Sequence, residues 1–228
     1  MSWFDKLHQT FIEGDRYLWI LDGLKNTLII TLGALLIGVL IGALIAITKY
    51  FCDGDKKLRI FSWLCDLYTT VIRGTPVVVQ LLIMFFIVFV SADDGTWVAT
   101  ITFGINSGAY VAEIIRSGIL AIDRGQTEAG RSLGLSAGQT MWLIILPQAF
   151  KNILPAIGNE MIALLKETSV AGYVAVIDLT KAGNQIKNTT YDQINPILLV
   201  ALIYLSMVLL MTWLLGILER RLRKGDKR

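Results

Sequence analysis

Residues Glu128–Ala149 read EAGRSLGLSAGQTMWLIILPQA, and this stretch decides how the chain is organised. It is polar and punctuated by glycine, yet it sits in the middle of a very apolar sequence. Asp123, with Gln126 three residues on, suits a helix N-terminus, so a first helix of about two turns is predicted to run through Leu133. Gly134 stands where helices commonly end in a left-handed residue, a conformation glycine adopts without steric penalty. Ser136 then reads as an N-cap, and Gln139 three residues later completes a capping box. The second helix is expected to end or kink at Pro147, whose ring and missing N–H interrupt the ladder. Leu133, Leu135, Trp142, Ile145 and Leu146 are the apolar residues available for such a pair to bury. On physical grounds two readings stand equal: a connector packed under a bundle, or a surface that meets a partner.

Around this stretch the composition is that of a membrane protein. Of 228 residues, 54% are hydrophobic and 17% charged, with a mean hydropathy of +0.61, well above the apolar share of soluble domains. Asn26–Thr48, Gly74–Ala92 and Gln193–Leu218 hold no charged residue. Each approaches or exceeds the roughly 20 residues that cross a hydrocarbon core as helix. Thr96–Ala112 is also uncharged but short, and needs Ile114, Ile115 and Ile119 to finish. Ile153–Ile177 is apolar apart from Glu160, Lys166 and Glu167. Five spans are therefore expected, in an all-α integral membrane protein.

Basic residues set the expected orientation. Lys49, Lys56, Lys57 and Arg59 follow the first span. Arg220, Arg221, Arg223, Lys224, Lys227 and Arg228 form the tail, whereas Ser91–Gly95 carries Asp93 and Asp94 and no base. Positive residues stay cytoplasmic, which places the N-terminus outside, and the Glu128 region and C-terminus inside. The net charge of +3 is then topology rather than a sign of nucleic-acid binding, and the tail also suits anionic membrane lipid. Met1–Asn26 lacks a basic n-region and carries acids, unlike a cleavable signal peptide. It reads as an amphipathic lead-in through Trp3, Phe4, Leu7 and Phe11, then Tyr17, Leu18 and Trp19.

Chemistry-bearing motifs are few. Cys52 and Cys65 fall on the expected cytoplasmic side, where disulfides are rare. His8 is the one histidine, and no metal-ligand spacing or nucleophile–base cluster exists. No GxxxxGK[ST] phosphate loop occurs, so the chain is not its own ATPase by that route.

Glu128, Ala129, Gly130, then Gly134, Ile144, Leu146 and Pro147 resemble the EAA motif of permease subunits of ATP-binding cassette (ABC) importers. Gly130 stands where that motif has its third small residue, alanine. RGTPVVVQLL (Arg73–Leu82), GAYVAEIIR (Gly108–Arg116), GNEMIALLKETS (Gly158–Ser169) and GLKNTLIIT (Gly23–Thr31) resemble permeases of the polar amino-acid uptake family, of the histidine, glutamine or arginine type. The resemblance implies the type I ABC importer permease fold, with a cytoplasmic coupling helix pair that inserts into a cleft on the ATPase. Glu128, Ala129, Gly130, Leu133, Gly134, Leu135 and Ser136 would form that coupling surface. It divides the chain into an extracytoplasmic lead-in over 1–22, a permease domain over 23–219 with its coupling region at 124–149, and a basic tail over 220–228. Implied partners are two copies of a cytoplasmic ATPase, a second permease copy or close homologue forming a dimer, an extracellular solute-binding protein and an amino-acid substrate. No cofactor belongs to this chain, and ATP and Mg are used by the partner ATPase.

Charges inside spans are expensive and usually face a cavity, a partner or a substrate. Asn106, Tyr110 and Glu113 are spaced to share one helix face. Glu113 reads either as a cavity acid or as half of an intrahelical pair with Arg116. Glu160 follows Pro155 and Gly158, so the helix is expected to break or start late just before it, as irregular backbone does where it lines a cavity. It then receives a cargo α-ammonium, or is a helix N-terminal acid favoured by the macrodipole. Arg73, Gly74, Thr75 and Pro76 mark a hinge whose proline frees a carbonyl, and Lys166 is a candidate gate. An amino-acid importer permease is the preferred reading. The alternatives are a permease for another small polar solute (an opine or a sulfur compound) and an ion-coupled secondary transporter. The latter has no need of the Glu128–Pro147 pair.

Overall fold

The structure, a computed structural model, describes residues 3–52 and 58–223, the last of these by its backbone only. Lys56, Lys57, Lys224, Lys227 and Arg228, used above for orientation, lie outside the described residues. Every regular element among the described residues is helical. Helix α1 (Trp3–Leu7) passes through a π-helical turn at His8–Ile12 and a 3-10 turn at Glu13–Asp15 into α2 (Arg16–Cys52). Then come α3 (Arg59–Arg73), α4 (Val77–Ile83) with a π-helical turn at Met84–Val88, and α5 (Gly95–Leu120). The polar stretch forms α6 (Arg124–Ser132) and α7 (Ala137–Thr140), and a π-helical turn at Met141–Ile145 leads into α8 (Leu146–Glu167). A 3-10 turn at Thr168–Val174, α9 (Leu179–Thr190) and α10 (Asn195–Arg223) complete the chain.

Small residues bring the two central helices together. Gly38 and Gly42 on α2 face Ser107 and Val111 on α5, while Gly104 and Gly108 on α5 face Ile37 and Ile41. A Cβ at any of the four glycines would stand 2.6–2.8 Å from its neighbour. Two facing GxxxG patterns let the backbones approach closely, which is how helices associate where no water drives them together. The matched order of these contacts makes α2 and α5 parallel. Ile30 (α2), Leu81 (α4), Phe103 (α5), Leu164 (α8) and Val174 close one core around this pair, and Ile20, Leu179, Ala182, Ile186 and Val200 close a second at the α9 end. Outside, Leu32, Leu36, Leu40 and Leu44 repeat every fourth residue and are 59–65% exposed. A leucine stripe of that length belongs against lipid.

Four helices are long and apolar enough to cross a membrane, and a bent pair, Arg59–Gly74 with Val77–Val88, makes up to five. The break in this pair falls at the expected hinge, Gly74–Pro76, and divides the uncharged stretch Gly74–Ala92 so that its helix begins only at Val77. The pair turns through 105°, because Pro76 has no N–H to continue α3 and its ring crowds the preceding turn. Val77–Val88 then rises only about 18 Å, short of a hydrocarbon core.

Helix α8 supplies two corrections. It runs unbroken through Pro155, so the break expected before Glu160 is absent. Packing of Ile153, Ile162, Leu164 and Leu165 holds a helix that proline alone would weaken by about 3 kcal/mol. Pro147 likewise does not end the second polar helix. It falls in the first turn of α8, where no N–H is required, and the π-helical turn before it absorbs the register change. The second polar helix is therefore the near end of the fourth span.

Candidate functional site

The tip formed by α6 and α7 is specified residue by residue. Asp123 caps α6 by accepting from Gly125 N at 2.6 Å. At the other end Leu135 N donates to Gly130 O at 3.2 Å and Gly134 N to Arg131 O at 3.0 Å, the paired bonds of a Schellman ending. Gly134 has φ +86°, the left-handed geometry expected of it. Ser136 N donates to Gln139 Oε1 at 2.8 Å and Gln139 N to Ser136 Oγ at 3.2 Å, closing the capping box. Arg131 Nη1 reaches across the turn to Leu135 O at 2.8 Å.

Contact between α6 and α7 is made by small groups. Gly130 is buried, and a Cβ there would meet Thr140 Cγ2 at 2.7 Å and Ile144 Cδ1 at 2.9 Å. Glycine in place of the motif's alanine therefore fits this chain's threonine. Ile145 is buried and Leu135 and Leu146 are half-buried, but Leu133 is 81% and Trp142 68% exposed. Of the five apolar residues available to such a pair, the fold therefore covers Ile145 fully and Leu135 and Leu146 in part, and leaves Leu133 and Trp142 outside. Glu128, Ala129, Gly134 and Ser136 are exposed with them. The tip is a rigid, capped point presenting an acid, a left-handed glycine and unpartnered apolar side chains.

A polar seam runs through the bundle behind the tip. Asn106 on α5 is 3% exposed and donates from Nδ2 to Gln80 Oε1 on α4 at 3.0 Å. Gln80 Nε2 in turn donates to Ile72 O at 2.7 Å and to Thr75 Oγ1 at 2.8 Å. Ile72 O is the carbonyl that Pro76 cannot satisfy, so Gln80 supplies the donor missing from the bend. Tyr110 lies under the Arg73 guanidinium, 5.3 Å from the ring centre. Glu113 accepts from Arg116 Nε at 3.0 Å, and Arg73 Nη1 approaches it at 3.9 Å. The intrahelical reading of Glu113 is thus present, extended by Arg73 from the bend.

Glu160 is half-buried and accepts from Ser107 Oγ on α5 at 2.8 Å. It sits well along α8 rather than at its start, which removes the helix N-terminal reading. Asn106 and Glu160 are not joined. They engage neighbouring elements on either side of α5, because Asn106 and Ser107 point about 100° apart around the helix. Lys166 is exposed in the last turn of α8, and the 105° bend falls at Gly74, Thr75 and Pro76. Sequence reading missed Ser107 and Gln80. A glutamine four residues after a proline was the available signal for Gln80, since its amide can reach back into the interrupted turn. Cys52 and Cys65 are free thiols, and among the described residues no group of acids, histidine and cysteines is arranged to hold a metal.

Known proteins share this architecture. The family described as binding-protein-dependent transport system inner membrane component matches residues 38–224. The arginine transport system permease protein ArtQ of Bacillus subtilis (strain 168) is 40% identical over 91% of this chain and 94% of its own. The putative glutamine transport system permease protein GlnP of Rickettsia bellii is 37% identical over the same shares, 91% and 94%. The solved "Crystal structure of an amino acid ABC transporter with histidines" superposes with a TM-score of 0.85 at 40% identity, covering 92% of this chain and 98% of that one. An inward-facing MetNI methionine ABC transporter shares the fold, with a TM-score of 0.77 at 20% identity over 90% and 97% of the two chains. With apolar helices of spanning length, the motif of the tip and relatives aligned along nearly their whole length, the chain belongs to the family of binding-protein-dependent transport system inner membrane components.

Proposed function

We propose that the chain is the permease subunit of an ATP-driven amino-acid importer, working as a dimer with two cytoplasmic ATPase subunits and an extracellular solute-binding protein. The observation that carries the mechanism is that α7 continues through Met141–Ile145 into α8, the helix that bears Glu160. A displacement imposed on Leu133, Gly134 and Trp142 by an ATPase cleft therefore moves the fourth span directly, with no flexible joint between. ATP binding draws the two ATPases together and rocks the bundles outward-open. Hydrolysis, using Mg and ATP held by the partner, resets them. In this arrangement the N-terminus lies outside and the tip and C-terminus inside the cell.

The chain itself contributes geometry rather than covalent chemistry. Glu160, held by Ser107, offers a carboxylate at membrane depth for the cargo's α-ammonium. Asn106 and Tyr110 line the adjoining face of α5. The Arg73–Glu113–Arg116 cluster stands one to two turns further along, where a rearrangement of the bend would alter access. The amino-acid cargo is supported by relatives named for arginine, glutamine and cystine. The test is Glu160→Gln in complexes reconstituted into proteoliposomes. Uptake of the cargo is expected to fall at least tenfold while assembly and basal ATP hydrolysis persist. Unchanged uptake would remove Glu160 from the cargo site.

A further inference from the structure

At the end of the bundle away from α6 and α7, the start of α2 and the free side of α9 enclose a cavity of about 690 Å³, lined by Trp19, Asp22, Lys25, Asn26, Gln185 and Asn188 among others. Its walls are fixed. A Cβ on Gly23 would lie 2.8 Å from Asp178 O, so α2 and α9 meet without a gap, and Asn26 Nδ2 donates to Ile177 O at 2.9 Å. Helix α9 buries Leu179, Ala182, Gly183 and Ile186, which turns Gln185 and Asn188 into the cavity.

Two charges of opposite sign stand in this wall. Asp22 and Lys25 are one turn apart on α2, yet among the described residues neither forms an ion pair with the other or with any third group. Residues at i and i+3 hold their Cβ atoms about 5–6 Å apart. A zwitterion can lie antiparallel across such a pair, its ammonium on Asp22 and its carboxylate on Lys25. The carboxamides of Asn26, Gln185 and Asn188 donate or accept toward whatever side chain it carries. The volume falls within the range of small-molecule sites.

We propose that this cavity is an outer binding site for an α-amino acid zwitterion, which receives the cargo before it moves inward to Glu160. It rests on the importer reading above. The site reads the ammonium and carboxylate common to all amino acids, and both charges are solvent-exposed, so binding is expected to be weak, on the order of millimolar.

The test uses the complete complex in membrane vesicles with this face accessible. Asn188→Cys is labelled by an anionic, membrane-impermeant methanethiosulfonate, followed by mass spectrometry, with Thr189→Cys as a second reporter. Cys52 and Cys65 lie toward the opposite end. L-arginine and L-glutamine are each expected to slow labelling severalfold. N-acetylarginine, which lacks the ammonium, and argininamide, which lacks the carboxylate, are expected not to, and Asp22→Asn or Lys25→Gln should abolish protection. Absence of protection by both amino acids, or protection surviving in those variants, overturns the site. ATP-driven uptake of the same amino acids is measured in parallel. Uptake without protection refutes this site alone. Failure to take up any of a panel of amino acids refutes the cargo reading instead.

Discussion

Gly134 gives the sharpest perturbation of the α6–α7 tip and of its proposed coupling role. A side chain there must adopt φ near +86°, which costs an L residue about 1–2 kcal/mol and aspartate or asparagine somewhat less. Against that stand five hydrogen bonds around the turn: Leu135 N to Gly130 O, Gly134 N to Arg131 O, the reciprocal Ser136–Gln139 pair and Arg131 to Leu135 O. At about 1 kcal/mol net each they outweigh the strain, so the tip keeps its shape. A Cβ at Gly134 meets nothing within 4 Å, so the lone chain is barely disturbed. Any large effect must then arise where the tip touches something else. Gly134→Asp is expected to insert and unfold like the parent but to lose cargo uptake and cargo-stimulated ATP hydrolysis in proteoliposomes. Gly134→Ala is expected to reduce both by at most roughly 5- to 30-fold, the equivalent of the strain alone. Normal stimulated hydrolysis by Gly134→Asp would refute docking at this turn.

Gly130→Ala should destabilise the tip by about 1–3 kcal/mol through its approach to Thr140, with Thr140→Ser restoring part of the loss in thermal unfolding of the purified complex. Gln80→Leu leaves Ile72 O and Asn106 without their partner. It is expected to cost about 1–3 kcal/mol and to lower uptake more than Gln80→Glu, which keeps an acceptor for Asn106. Asp192 is buried, which alone would raise its pKa, but hydrogen bonds from the Asn195 side chain, the Asn195 and Ile194 backbones and Thr10 outweigh this and hold it at about 2. A depressed carboxyl stabilises above its ordinary pKa and loses that contribution as pH falls toward the folded value. The parent should therefore lose about 2 kcal/mol more than Asp192→Asn between pH 4 and 2 in denaturant unfolding.

Much of this was legible in the sequence, and the exceptions share a cause. The caps at Asp123, Gly134 and Ser136 are local chemistry and appear as expected, since each depends only on residues within five positions. The proline positions were misjudged at Pro147 and Pro155. Whether a proline breaks a helix depends on register and on the packing around it, and neither is written in the neighbouring residues. At Pro76 the kink was legible but not its 105° size, since the bend is held partly by Asn106 on α5, which bonds Gln80 across the bundle. Ser107 escaped notice for the same reason: a serine beside an asparagine in an uncharged span says nothing until α8 brings Glu160 against it.

Everything in the proposed mechanism depends on the α6–α7 tip touching a separate ATPase. The most direct measurement places a photo-crosslinking amino acid at Trp142, which is 68% exposed, and irradiates the assembled complex in vesicles. The expected product is an adduct of this chain with the ATPase subunit, its yield falling when Gly134→Asp is introduced. An adduct confined to permease or lipid in the intact complex would contradict the account.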